Sequence, residues 1–109
     1  MAETIKPPSQ SYPSAATLTD LYTVPDLTTA IVSSIVVCNQ ANQPATFRIS
    51  HAIAGAADTN AQYLYYDRAL PANYSYTITL GKTCGAADVF RVQSSNGRMS
   101  FNLYKDEIS

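Results

Sequence analysis

His51 is the one histidine among 109 residues, and general-base or nucleophilic chemistry would have to centre on it. A Ser-His-Asp or Cys-His arrangement needs a nucleophile beside the imidazole and a third group to orient it. By strand alternation, however, His51 shares its face with Phe47, Ile49 and Ile53. A histidine on an apolar strand face is ordinarily a packed, hydrogen-bonded residue. The acids Glu3, Asp20, Asp26, Asp58, Asp67, Asp88, Asp106 and Glu107 form no recognisable acid-base pair. Asp26, Asp58 and Asp88 fall at turns or loop edges, where an aspartate caps backbone N–H groups. Asp67 and the adjacent Arg68 read as surface ion-pair formers. Cys38 lies in an apolar run and Cys84 in a glycine-flanked loop. Both are expected as free thiols, and two cysteines alone lack the further ligands of a metal site. The stretch Gly81-Lys82-Thr83-Cys84-Gly85 lacks the spacing of a phosphate loop. No enzyme activity, catalytic residue, metal or cofactor is expected.

Tyrosine is the remaining surface chemistry. Eight occur: Tyr12, Tyr22, Tyr63, Tyr65, Tyr66, Tyr74, Tyr76 and Tyr104. A tyrosine joins a large apolar ring to a polar tip, which suits a core rim, a subunit interface or a sugar platform. Tyr63 and Tyr65 fall on one face of their strand, with Leu64 and Tyr66 on the other. Candidate contact residues are Ile5, Pro7, Pro8, Tyr12, Tyr63, Tyr65 and Tyr104.

The elements that carry these groups are strands. Seven apolar or alternating runs, at residues 18–24, 29–39, 45–53, 62–70, 74–80, 88–94 and 99–104, are fenced by turn residues. A period of two marks a half-buried strand, and this spacing belongs to a sandwich or barrel. The expected fold is all-β: one antiparallel β-sandwich, immunoglobulin-like or jelly-roll-like, of about seven or eight strands. The run Ile35, Val36, Val37, Cys38 is apolar on both faces, which predicts a central strand covered on both sides. Val36, Phe47, Ile49 and Phe101 are predicted core. Residues 81–87 read as a loop, Asn96-Gly97 as a hairpin signal and residues 105–109 as a polar tail. No stretch has a helical period. The domain is expected over 15–109. Residues 1–14 are expected as an extended N-terminal arm, because Pro7, Pro8 and Pro13 remove backbone donors. Alone it should be mobile, and ordered only along a neighbour.

Composition bounds the partners. Hydrophobic residues make up 46%, enough for a core, while charged residues are only 14%. That is well below the usual level of about 25%, so the surface is neutral and suits a subunit that packs on others. The net charge is -1 with no basic cluster, which argues against nucleic acid. The start Met1-Ala2-Glu3-Thr4-Ile5-Lys6-Pro7-Pro8 has no basic-then-apolar leader pattern, and no apolar run is long enough to span a membrane. Synthesis in a cytoplasm, with no membrane partner, is the expectation.

Several segments together resemble a known family. They are Leu21-Tyr22-Thr23-Val24-Pro25, Val32-Ser33-Ser34-Ile35-Val36-Val37-Cys38-Asn39 and Thr46-Phe47-Arg48-Ile49. Tyr65-Tyr66-Asp67, Asp88-Val89, Ser94-Ser95 and Ser100-Phe101-Asn102-Leu103 complete the set. They resemble small virion structural proteins of tailed bacteriophages over residues 14–108. At Asp26-Leu27 the family often carries glycine and this chain does not. The resemblance implies a virion protein made in a host bacterial cytoplasm, foremost a capsid decoration or cement protein. Its implied partners are copies of itself, as a trimer, and the major capsid protein or another virion protein. The alternative is a tail- or fibre-associated module that binds a host glycan. No functional residue carries over, because the shared positions are core and turn residues.

Overall fold

A computed structural model describes residues 3–5, as backbone alone, and 7–108 with side chains. The elements are β1 (Glu3–Ile5), β2 (Ser9–Ser11), β3 (Thr19–Thr23), β4 (Thr29–Asn39), β5 (Ala45–Ala52), β6 (Tyr63–Leu70), β7 (Ser75–Cys84), β8 (Val89–Ser94) and β9 (Met99–Ile108). Two single-turn 3₁₀ segments, Ile53–Gly55 and Asn60–Gln62, lie between β5 and β6. The fold is the expected antiparallel β-sandwich.

One sheet has the order β1-β9-β4-β7, with β2 also on β9, and the other has β3-β8-β5-β6. β1 pairs with the C-terminal end of β9, and β2 pairs further back along it, from Leu103 to Phe101. They are two halves of one edge strand, interrupted where Pro7 and Pro8 supply no N–H for the ladder. Counted so, each sheet has four strand positions. The links β2 to β3, β3 to β4, β4 to β5, β6 to β7, β7 to β8 and β8 to β9 each cross from one sheet to the other, and only β5 to β6 stays within its sheet among the links between full strand positions. This is the jelly roll, a pair of interlocked Greek keys. The immunoglobulin-like alternative is set aside.

One expectation for the arm is corrected, that it is ordered only along a neighbour: Glu3–Ile5 and Ser9–Ser11 pair with β9 of their own chain. Lys105 Nζ, buried on β9, donates to Pro7 O (2.8 Å) and Ser9 Oγ (2.7 Å) and stands 4.7 Å from the centre of the Tyr22 ring. Met1, Ala2 and Lys6 of the expected arm lie outside the described residues, as does Ser109.

The core lies between the sheets. Phe47, Ile49, Phe90, Phe101, Ile35, Met99 and Leu103 are fully buried, and the Phe47 and Phe101 rings meet edge-to-face at 6.3 Å. Val36 is corrected: it is half-buried on the outer side of β4, as is Cys38. β4 is central by hydrogen bonding, between β9 and β7, but only one of its faces is covered. The loop expected at 81–87 begins later. Gly81 (φ 64) sits in an irregular step of the β4–β7 register, and the strand continues to Cys84. A left-handed glycine here bends the strand without ending it. The polar tail is strand as well, because β9 runs to Ile108 against β1 and β4.

Asn96-Gly97 is not a hairpin turn, since β8 and β9 belong to different sheets. Gly97 (φ 67) is required for another reason: a Cβ there would stand 2.8 Å from the backbone nitrogen of Ala15. Gly97→Ala is expected to lower stability by about 2 kcal/mol, from the left-handed φ and the forced shift of Ala15. A urea melt measures it, and a change under about 0.5 kcal/mol would contradict the close approach. Leu27 is the reverse case. It has φ 57 and is 93% exposed, so its side chain adds strain with little packing in return. Leu27→Gly is expected to raise stability by about 0.5–1 kcal/mol in the same assay. A loss of stability would show that the unfolded-state entropy of glycine dominates.

Candidate functional site

Three regions bring chemistry-bearing side chains together. The first joins the C-terminal ends of β5 and β7 to the turn before β8. His51 comes from β5, Cys84 is the last residue of β7, and Asp88 precedes Val89. Their donor atoms all lie within 4.8 Å of one another. His51 Nε2 is 2.9 Å from Asp88 Oδ2. The imidazole lies flat on Phe90, with ring centroids 4.7 Å apart and 14° between planes. Asp88 Oδ1 accepts from the Ala54 N–H (2.8 Å) and Oδ2 from the Gly85 N–H (3.1 Å).

The Asp88 carboxyl is poorly solvated, which favours its neutral form. The Ala54 N–H, the His51 ring and the Gly85 N–H outweigh this and hold it below the usual carboxylate range. A folded-state value below the unfolded one stabilises the fold above the unfolded pKa of about 4, and that stability is lost as pH falls through the depressed value. The Asp88→Asn chain is therefore expected to show a shallower loss of melting temperature below about pH 4 than the parent. Parallel curves would deny the linkage. Burial, followed by the Asp88 charge, pushes the Cys84 thiol up to about 11. A buried, protonated thiol is a poor nucleophile. Cys84 also lies at the opposite end of the β4–β7 ladder from Cys38, since Cys38 pairs with Ser75 and Cys84 with Ala30. Both cysteines are free.

No partner set for His51 or for Cys84 is legible in the sequence. His51 and Asp88 are 37 positions apart and meet where β5 pairs with β8 in one sheet. A signal was available in the lone histidine on an apolar face, because a covered imidazole N–H requires an acceptor. The capping expected of Asp88 is present.

The second region lies along β6, an edge strand. Tyr63 and Tyr66 meet edge-to-face at 5.1 Å, and with Asn60 they line an open cleft of about 400 Å³. The Arg48 guanidinium stands 4.0 Å from the Tyr66 ring centre and forms a two-point ion pair with Asp67, at 2.7 and 3.1 Å. Tyr63 Oη donates to Asp58 Oδ2 at 2.9 Å. The expected grouping of Tyr63 with Tyr65 is corrected. Tyr65 packs on the core edge-to-face with Phe47, while Tyr63 pairs with Tyr66. Register shifts between β5 and β6 and the left-handed Asp67 (φ 53) break the simple alternation. Asp67 pairs with Arg48 and not with its neighbour Arg68, whose guanidinium lies 4.8 Å from the Tyr76 ring centre.

The third region is the outer face of the β1-β9-β4-β7 sheet. Ile31, Ser34, Val36 and Cys38 of β4 lie opposite Thr83, Thr79, Thr77 and Ser75 of β7. On the other side of β4 they meet Asp106, Tyr104, Asn102 and Ser100 of β9. Among these twelve positions only Asp106 is charged. The outer side of the other sheet carries the Arg48–Asp67 and Arg91–Asp20 pairs. Tyr12 is exposed beside this neutral face, in a cleft of about 450 Å³ shared with Gln10, Gln40, Ser100 and Asn102. Tyr104 is 41% exposed on the face itself. Pro7 and Pro8 are exposed on the arm. The side chain of Ile5 lies outside the described residues. Tyr12 thus lies beside one sheet and Tyr104 on it, while Tyr63 and Tyr65 lie on the other.

Among the described residues no helix is long and apolar enough to cross a membrane. No protein-family model matches the sequence, and no curated protein matches it.

Proposed function

We propose that this chain is a non-enzymatic structural protein of a bacteriophage virion, a decoration or cement protein that stabilises the head by subunit contacts. The observation that carries the reading is the neutral outer face of the β1-β9-β4-β7 sheet. Val36 and Cys38 on its β4 strand are half-buried and apolar in the lone chain, and among the twelve positions named above charge is confined to Asp106. Depletion of charge at the centre of a patch is the compositional mark of an interface core. The resemblance adds the virion, the major capsid protein as partner, and a trimer as the form in which the chain assembles. Jelly rolls serve in capsids and in lectins, so the architecture agrees with the reading without choosing it.

The test is cryo-electron microscopy of particles carrying the parent chain or Thr77→Lys. Density on the head shell is expected for the parent. A lysine on β7 directly beside Val36 should cut occupancy by about a hundredfold or more, since an unpaired interfacial charge costs several kcal/mol. Its thermal melt should be unchanged, because position 77 is exposed in the lone chain. Density at the tail, or full occupancy of the variant, would reject the reading. Light scattering of free and particle-released protein tests the trimer.

The cleft of Asn60, Tyr63 and Tyr66 favours a second reading, the tail- or fibre-associated module for a host glycan. Stacking rings beside an amide suit a sugar, whose apolar face packs on tyrosine while its hydroxyls bond the amide. Glycan-array binding that disappears in Tyr66→Ala would select it over the first.

A further inference from the structure

We propose that His51, Cys84 and Asp88 form a binding site for a divalent metal ion of the zinc type, independent of any virion role. Nitrogen, sulfur and oxygen donors converge there from β5, β7 and the turn before β8, all within 4.8 Å of one another. A tetrahedral ion holds its donors roughly 3–4 Å apart, so adjustments of about 1 Å complete the shell. Three protein ligands leave a fourth position for water.

The surroundings match what a metal site requires. Asp88 is oriented by the backbone N–H groups of Ala54 and Gly85, the kind of outer support that ligating carboxylates receive. The His51 ring is fixed against Phe90. Charge balances as well. The ion brings two positive charges, Asp88 one negative charge, and Cys84 a second once its proton passes to the solvent. An imidazole that binds the ion through Nε2 is neutral and carries its ring proton on Nδ1. The loaded site carries no net charge, which makes its burial tolerable. Thiolate and imidazole together favour zinc, cobalt or cadmium over magnesium and calcium.

The choice of Cys84 over Cys38 makes the proposal testable. Cobalt(II), a coloured substitute for zinc, is titrated into the full chain. A one-to-one complex with a thiolate-to-cobalt absorption band is expected. The band should persist in Cys38→Ser and vanish in Cys84→Ser, and His51→Gln should weaken binding by about tenfold or more. Should Cys84→Ser fail to fold, the Cys38→Ser chain decides alone: zinc should slow alkylation of its single thiol. No thiolate band in the parent, a band that follows Cys38, undiminished binding in His51→Gln, or zinc-independent alkylation would each overturn the site.

Discussion

Replacing Phe101 by alanine is expected to lower unfolding free energy by about 3–5 kcal/mol. Phe101 is fully buried on β9 and its ring meets Phe47 edge-to-face. Phe47 in turn meets Tyr65, so a single aromatic row ties β9 to β5 and β6 across the two sheets. Truncation removes the β9 ring from that row. The strands around it are held by ladders on both sides of β9 and cannot collapse into the gap. The cost therefore contains a cavity contribution besides the lost transfer of the ring. A domain of this size has about 5–15 kcal/mol in total, so the substitution takes a large share. A urea melt with an unchanged slope is the measurement. A loss under about 1 kcal/mol would mean that the sheets close over the gap.

The success of the reading at Phe101 and its failure at Val36 have one origin. Alternation reports which residues share a face, so Phe101 was legible as an inward residue of its run. It cannot say whether the opposite face has a partner inside the chain. An apolar run on both faces predicts burial on both, yet among the described residues no layer covers the second face of β4. The same holds for Asn96-Gly97. Its residue types announce a tight left-handed turn, but the sheet to which the chain goes next depends on topology. The His51, Cys84 and Asp88 cluster lies furthest from legibility. Each residue has an ordinary local explanation; the pairing of β5 with β8 joins His51 to Asp88, and the packing of the two sheets adds Cys84 from β7. The β6 cleft fails for a smaller reason: a left-handed Asp67 and two register shifts re-aim the tyrosines, and neither is signalled by a glycine.

Deleting residues 1–14 is expected to destabilise the fold by about 2–4 kcal/mol, against the expectation for an independent arm. The proline content of this stretch describes its isolated conformation correctly. It omits the edge of β9, which offers unpaired backbone groups to any extended segment. β1 and β2 occupy that edge on either side of the proline break. Their removal costs Lys105 two acceptors, Pro7 O and Ser9 Oγ, and hydrogen bonds to a charged group contribute about 1.5–3 kcal/mol each. Pro13, which is buried, is lost as well. Against this stands the backbone entropy recovered by the freed arm, roughly 1–2 kcal/mol per residue, which offsets most of the gross loss. The truncated chain should also self-associate through the bared β9 edge. A synthetic peptide of residues 1–14 added in trans should partly restore the melt, because backbone pairing along β9 needs no covalent link. Equal melts for the full and truncated chains would return the arm to the role of a free tether. The two roles exclude each other in one subunit: a strand that closes its own β9 reaches a neighbour only by leaving that edge for the neighbour's β9, an exchange that keeps every pairing and links the copies.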